Sequence, residues 1–166
     1  MTIGRIVVSF AILISFVCVP AAADSFATNV GDATGPLVAV GIAATYLAAG
    51  EHNTAKAARV ADAAVIAVGA AELIKPNINV DKHQFRHGFP SGHVAIAFGT
   101  ATAMADVFPK QKWLLYAGAA LVGWSRVESR AHSWGDVVGG AALGYGVGKW
   151  SMSSSDGLML GRVYRF

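Results

Sequence analysis

The chain has little charge and a single cysteine in its 166 residues. Charged residues make up 14% of the sequence, against roughly 25% in an average soluble protein, whereas hydrophobic residues make up 54%. The net charge is only +3 and the basic residues are scattered, which argues against nucleic-acid binding. One cysteine, Cys18, excludes an intramolecular disulfide and a cysteine-based zinc cluster. The composition therefore indicates a membrane protein or a very apolar bundle.

The alternation of apolar and polar residues that is typical of strands is also missing. The sequence has no tandem repeat, no proline-rich linker and no glycine-rich phosphate loop, and its length suits one domain. Five apolar segments rich in Ala, Gly, Leu and Val predict helices, at 33–50, 57–74, 92–105, 113–125 and 137–148. Together with an apolar run at the N-terminus, they predict an all-α bundle of five to six helices.

The N-terminal run is uncharged from residue 6 to residue 23 and follows Arg5. It ends in three alanines at 21–23, as a secretory signal peptide with a small-residue cleavage site would. Eighteen uncharged residues can also just cross a bilayer. Residues 1–23 are therefore predicted to be a signal peptide or a first transmembrane helix, and the tail 151–166 to be a short strand, an interfacial segment or a frayed end.

The distribution of charge between the loops predicts a topology. Several predicted helices are shorter than the roughly 20 residues that cross a bilayer comfortably, but flanking aromatic residues can extend them into the interface. We expect a transmembrane bundle, with a compact periplasmic bundle as the alternative. If the N-terminus is cytoplasmic, the basic loops 51–59 and 109–112 are cytoplasmic too, and the acidic loop 24–32 lies outside. Segments 75–91 and 126–134 then share the outer side.

Glycines recur every fourth residue on the last predicted helix, at Gly140, Gly144 and Gly148. A stripe of small residues permits close packing of helices in a membrane. Because the chain contains 19 glycines, a chance repeat is the alternative explanation.

Polar residues interrupt this apolar chain at 90–93, with the sequence Pro-Ser-Gly-His. Ser91 is a natural N-cap for the helix that follows. The backbone N–H groups of Gly92 and His93 would then face outward at a helix N-terminus, where anions bind. His93 would lie at the mouth of that site, able to donate a proton.

A second group of polar residues contains Arg126, His132 and Asp136. A spacing of four places the histidine and the aspartate on one face of a helix. The carboxylate would fix the imidazole tautomer, which leaves the other ring nitrogen as a nucleophile toward phosphorus. The planar guanidinium suits phosphate oxygens.

These two groups, 90–93 and Ser125-Arg126-x5-His132-x3-Asp136, resemble the second and third signature motifs of the type 2 phosphatidic acid phosphatase (PAP2) superfamily. The resemblance covers roughly residues 30–150 and favours the membrane lipid phosphatase branch. It implies that His132 attacks phosphorus to form a phosphohistidine, that Asp136 orients it and that His93 protonates the leaving oxygen. It also implies that no metal or other cofactor is needed, and that the phosphoryl oxygens are held by Ser91, Gly92 and Arg126.

The first motif of that family, Lys-x6-Arg-Pro, is altered here. Lys75 can take the phosphate-binding role of the family lysine, but the arginine position holds Lys82, followed by His83. Either Lys82 replaces the arginine or Arg86 supplies it from an offset position. Lysine keeps the charge but loses the bidentate fork, so we expect weaker phosphate binding or a different substrate shape.

The resemblance predicts a phosphatase that hydrolyses a lipid phosphate monoester or diphosphate, similar to phosphatidic acid or undecaprenyl diphosphate. We expect it in a bacterial-type inner (cytoplasmic) membrane with its site facing the periplasm, and we expect no nucleic-acid partner. The alternatives are a soluble periplasmic acid phosphatase of broad specificity, a vanadate-dependent haloperoxidase, and a phospholipid-binding protein with impaired catalysis. The sequence leaves the oligomeric state open.

Overall fold

The computed structural model describes residues 23–49, 54–78 and 88–154. These residues form helices and connecting turns, with no strand among them, which confirms the predicted all-α fold. The six α-helices are α1 (Ala23–Asp32), α2 (Thr34–Ala49), α3 (Thr54–Ile74), α4 (Gly92–Val107), α5 (Lys112–Glu128) and α6 (Trp134–Ser153). Two 3-10 turns, Lys75–Asn77 and Pro109–Gln111, follow α3 and precede α5.

The five predicted apolar segments correspond to α2 through α6, each with somewhat different ends. Segment 24–32, predicted to be a loop, instead forms α1; its predicted position on the outer side stays a prediction. Its buried residues Ala27 and Val30 lie on one short stripe, and Phe26 packs against Trp124 of α5 with ring centroids 6.5 Å apart. Tertiary packing on α5 therefore stabilises a helix that is too polar to show as an apolar segment.

The central helix is α4, which packs against α3, α5 and α6. Its buried face consists mainly of small residues, and the facing side of α3 is equally small, with Ala63, Ala67 and Ala71 fully buried. A Cβ on Gly99 would lie 3.0 Å from the carbonyl oxygen of Ala63. The core is therefore built on close approach of helix backbones rather than on large side chains.

The glycine stripe of α6 lies directly against α4. A Cβ on Gly140 would come within 2.6 Å of the carbonyl oxygen of Ser91, the N-cap of α4, and a Cβ on Gly144 or Gly148 within 2.3 or 2.7 Å of a carbonyl oxygen of α4 itself. Such distances leave no room for any side chain, so the predicted close packing is confirmed within the chain. Because successive glycines meet successive turns of α4, the two helices run parallel, and their N-termini lie at the same end of the bundle.

The other end of the bundle is fixed by hydrogen bonds between α3 and α6. Arg59 donates from Nη1 to the carbonyl oxygen of Met152 (3.1 Å), and Ser151 Oγ donates to the carbonyl oxygen of Arg59 (2.7 Å). These contacts hold the C-terminus of α6 against the N-terminal part of α3, at the end of the bundle opposite the N-terminus of α6.

Within the described ranges, no single helix has both the length and the apolar character needed to cross a membrane. The pair Phe26–Asp32 and Thr34–Leu47, bent by 48°, meets the criterion jointly by length and composition. Most of the predicted signal or transmembrane segment 1–23 and of the tail 151–166 lies outside the described residues, as do residues 79–87.

Candidate active site

The predicted motifs meet at one end of the bundle. The backbone N–H of Ser91 donates to the carbonyl oxygen of Asp136 (3.0 Å), which joins the start of α4 to the start of α6. A Cβ on Gly92 would lie 2.9 Å from Glu72 Oε1 and 3.6 Å from Lys75 Nζ. The end of α3, the N-terminus of α4 and the first turn of α6 therefore surround a common site.

A helix-ending turn after α5 places His132. Arg130 adopts a left-handed conformation (φ 52°), and its N–H donates to the carbonyl oxygen of Val127 (2.9 Å). The N–H groups of Ala131 and His132 both donate to the carbonyl oxygen of Arg126 (3.0 Å each). The bonds from residues 130 and 131 form a Schellman motif, which normally has glycine at the left-handed position. The turn thus brings the backbone of His132 back against that of Arg126.

The prediction that His132 and Asp136 share a helical face is wrong, because α6 begins at Trp134 and His132 lies before its N-cap, Ser133. The contact forms through a capping box instead. Asp136 Oδ2 accepts the N–H of Ser133 (2.8 Å), while the N–H of Asp136 donates to Ser133 Oγ (3.2 Å). The same Oδ2 atom lies 3.6 Å from His132 Nδ1.

His132 and Asp136 form a buried pair. The imidazole is 1% exposed and the Asp136 side chain lies beside it, also buried. A distance of 3.6 Å is within ion-pair range but longer than an ordinary hydrogen bond, and such contacts commonly tighten when substrate binds. The carboxylate favours the tautomer with its proton on Nδ1, which makes Nε2 the basic ring nitrogen.

Two buried polar atoms near this pair have no hydrogen-bond partner among the described residues, namely Ser91 Oγ and Arg126 Nε. Ser91 occupies the predicted N-cap of α4, yet its hydroxyl makes no capping bond. Leaving such a group buried and unsatisfied costs about 1–3 kcal/mol, so both atoms are suited to bond an anion, Ser91 Oγ at the N-terminus of α4.

Arg126 is a nearly buried cation. Its side chain is 9% exposed, and Asp32 Oδ1 of α1 lies 4.0 Å from its Nη1. Burial lowers the pKa of the Arg126 guanidinium from its ordinary value, and the carboxylate of Asp32 opposes that shift. The residue before it, Ser125, donates its hydroxyl to the carbonyl oxygen of Val122 (2.7 Å).

Lys75 lies in the 3-10 turn after α3 and forms an ion pair with Glu72. Sequence reasoning missed Glu72, although a glutamate three residues before a lysine on a helix is a recognisable pair. It also missed Gly31 and Asp32, because their contact with Arg126 is between distant parts of the chain.

Of the remaining predicted site residues, only His93 lies among the described residues. His93 is the second residue of α4 and is exposed at the same end of the bundle. Lys82, His83 and Arg86 lie outside the described residues, so the replacement of the family arginine stays a prediction. In the described ranges, no group of three or more His, Cys, Asp or Glu side chains is arranged to hold a metal ion.

The chain matches a known protein family. A family model described as the PAP2 superfamily matches residues 37–159. The matched region contains every candidate site residue from Lys75 to Asp136, and it begins after α1. No curated protein and no solved structure matches the chain.

Proposed function

Because the chain belongs to the PAP2 superfamily, whose phosphatases act on phosphate esters, we propose that it hydrolyses a lipid phosphate monoester or diphosphate through a phosphohistidine intermediate. The observation that carries this proposal is the buried His132–Asp136 pair, at the bundle end that also holds Ser91 Oγ and Arg126 Nε. A nucleophile and unsatisfied donors at one end of the fold suit phosphoryl transfer.

In the first step the phosphoryl oxygens are held by the N-terminus of α4, the hydroxyl of Ser91 and the cations Arg126 and Lys75. His132 Nε2 attacks phosphorus, so an N–P bond forms while the bond from phosphorus to the ester oxygen breaks. The leaving oxygen keeps the electron pair and takes a proton from His93. The buried carboxylate of Asp136 stabilises the positive charge that develops on the imidazole.

In the second step a water molecule attacks the phosphohistidine. His93, now neutral, accepts a proton from that water, the N–P bond breaks, and inorganic phosphate leaves. The products are a lipid alcohol from a monoester, or a lipid monophosphate from a diphosphate. These side chains supply every group that the two steps use, so the proposed route involves no metal ion or organic cofactor.

Large exposed apolar side chains support a lipid substrate. Leu73 precedes Lys75 by two residues and is 75% exposed, and Trp134, at the start of α6, is also exposed. A lipid could leave its tails against such side chains while its headgroup enters the site. We propose a location in a bacterial-type inner membrane with the site facing the periplasm. The basic residues Lys56 and Arg59 near the start of α3, and Lys110 and Lys112 around the start of α5, lie at the opposite end of the bundle and support this orientation.

The test is phosphate release by the detergent-solubilised full chain from phosphatidic acid, undecaprenyl diphosphate and a soluble phosphate ester. We expect release from a lipid that His132→Ala abolishes, while His52→Ala, which changes a histidine outside the site residues, leaves release unchanged. Labelled substrate should transfer its phosphoryl group to the protein in an acid-labile linkage that depends on His132. Release from the soluble ester alone would support a nonspecific acid phosphatase. No release by folded protein would contradict the phosphatase proposal in favour of a binding protein.

A further inference from the structure

Helix α1 lies outside the matched family region, yet it contacts the arginine of the candidate site. A Cβ built on Gly31 would lie 2.1 Å from Arg126 Nη1 and 3.2 Å from its Cδ and Cζ atoms. The guanidinium therefore occupies the space that a side chain at position 31 would fill. The Arg126 side chain is itself nearly buried, with its Nη1 end against the last turn of α1.

We propose that the last turn of α1 positions the Arg126 guanidinium for phosphate, and that Gly31 is a positioning residue of the site. The absent side chain of Gly31 fixes where Nη1 lies. The C-terminal end of α1 carries partial negative charge and the carboxylate of Asp32, both of which attract a cation to this place. The inference rests on the proposed function, since it takes a phosphoryl group as the ligand.

The role of Gly31 is separable from the folding of α1. The residue lies within a regular helix, where alanine is the better helix former. The atom that a new Cβ would meet most closely is the end of a long, flexible side chain, so the guanidinium moves while the backbone stays. Gly31→Ala is thus expected to keep or raise the melting temperature while it weakens phosphate binding. If Gly31 were needed only for packing, Gly31→Ala would lower the melting temperature as well as the affinity for phosphate.

The experiment measures the Kd of inorganic phosphate by calorimetry on the detergent-solubilised full chain. We expect Gly31→Ala to raise this Kd about tenfold, the change for losing one good charge-assisted contact. The matched control is Gly35→Ala in α2, where a Cβ meets no described atom within 4 Å, and its Kd should equal that of the wild type.

A double-mutant cycle with Arg126→Lys separates positioning from any general effect of the alanine. Lysine has no Nη1 atom, so Gly31→Ala should change the Kd little in the Arg126→Lys background. An unchanged Kd in Gly31→Ala alone, or an equal loss in both backgrounds, would overturn the inference. So would a wild-type chain that binds no phosphate. Phosphate binding that depends on Gly31 in a chain without turnover would contradict the proposed reaction and leave the positioning role intact.

Discussion

His132 and Asp136 are placed by the backbone of their own segment, whereas Lys75 is placed by a side-chain ion pair on a short turn. The turn after α5 makes three backbone–backbone hydrogen bonds next to the first pair, and the capping box of α6 adds two bonds between backbone and side chain. Lys75 is paired with Glu72, whose side chain is 57% exposed. The difference indicates that the proposed nucleophile is held rigidly, while Lys75, a proposed phosphate-binding cation, can adjust its position.

The largest effect is expected from a substitution of Asp136, in the rigidly held His132–Asp136 pair. Asp136→Asn keeps the size of the side chain but removes the charge that holds the His132 tautomer. By analogy with the aspartate of serine protease triads, we expect kcat to fall about 10²–10⁴-fold. The measurement is steady-state phosphate release at saturating substrate.

The control for this substitution is Ser133→Ala, which removes the hydroxyl of the same capping box and leaves the carboxylate in place. It should cost about 1 kcal/mol of stability, as lost N-caps do, with most of kcat retained. An equal loss of kcat in both variants would mean that Asp136 acts through the helix cap and not through the imidazole.

The next largest effect is expected at Gly140, where α6 packs against the start of α4. A Cβ on Gly140 would lie 2.6 Å from the carbonyl oxygen of Ser91, a backbone atom that cannot move aside cheaply. We expect Gly140→Ala to lower the free energy of unfolding by about 1–3 kcal/mol, as overpacked cores do. Chemical or thermal denaturation in detergent measures the change.

Gly146→Ala on the same helix is the matched control, because a Cβ there meets no described atom within 4 Å. It should be neutral or slightly stabilising, since alanine favours helix. Equal stability of the two alanine variants would contradict the close α4–α6 contact.

The sequence carried enough information to predict α2 through α6, since each contains a long run of Ala, Gly, Leu and Val. It did not predict α1, whose few apolar residues become informative only when α5 packs on them. The same limit applies to Gly31, which meets Arg126 of another helix, whereas the spacing of Glu72 and Lys75 is visible in the sequence.

The candidate site was likewise predicted by residue type more reliably than by local structure. The spacing of His132 and Asp136 suggested one helical face, but a turn with non-glycine Arg130 in a left-handed conformation ends α5 just before the histidine. That turn has no glycine to mark it in the sequence. The pair still forms, because a histidine just before an N-cap can reach an N3 carboxylate.

The smallest effect is expected at Glu72, the ion-pair partner of Lys75. Its carboxylate pairs with Lys75 and lies next to the position that a Cβ of Gly92 would take, so it would compete with a bound phosphate for that lysine. Glu72→Gln removes this competing charge at nearly constant shape. Because an exposed ion pair contributes about 0.2–1 kcal/mol, we expect phosphate to bind up to about fivefold more tightly.

Inhibition of turnover by inorganic phosphate measures this change, with Glu128→Gln at the exposed end of α5 as the control for a lost surface charge. A general electrostatic effect would tighten phosphate binding equally in both variants, whereas competition for Lys75 predicts a change in Glu72→Gln alone. Added salt should shrink that change, since the competing pair is exposed. Weaker phosphate binding in Glu72→Gln would mean that Glu72 holds Lys75 in its binding position. Lys75 would then be placed as rigidly as the His132–Asp136 pair.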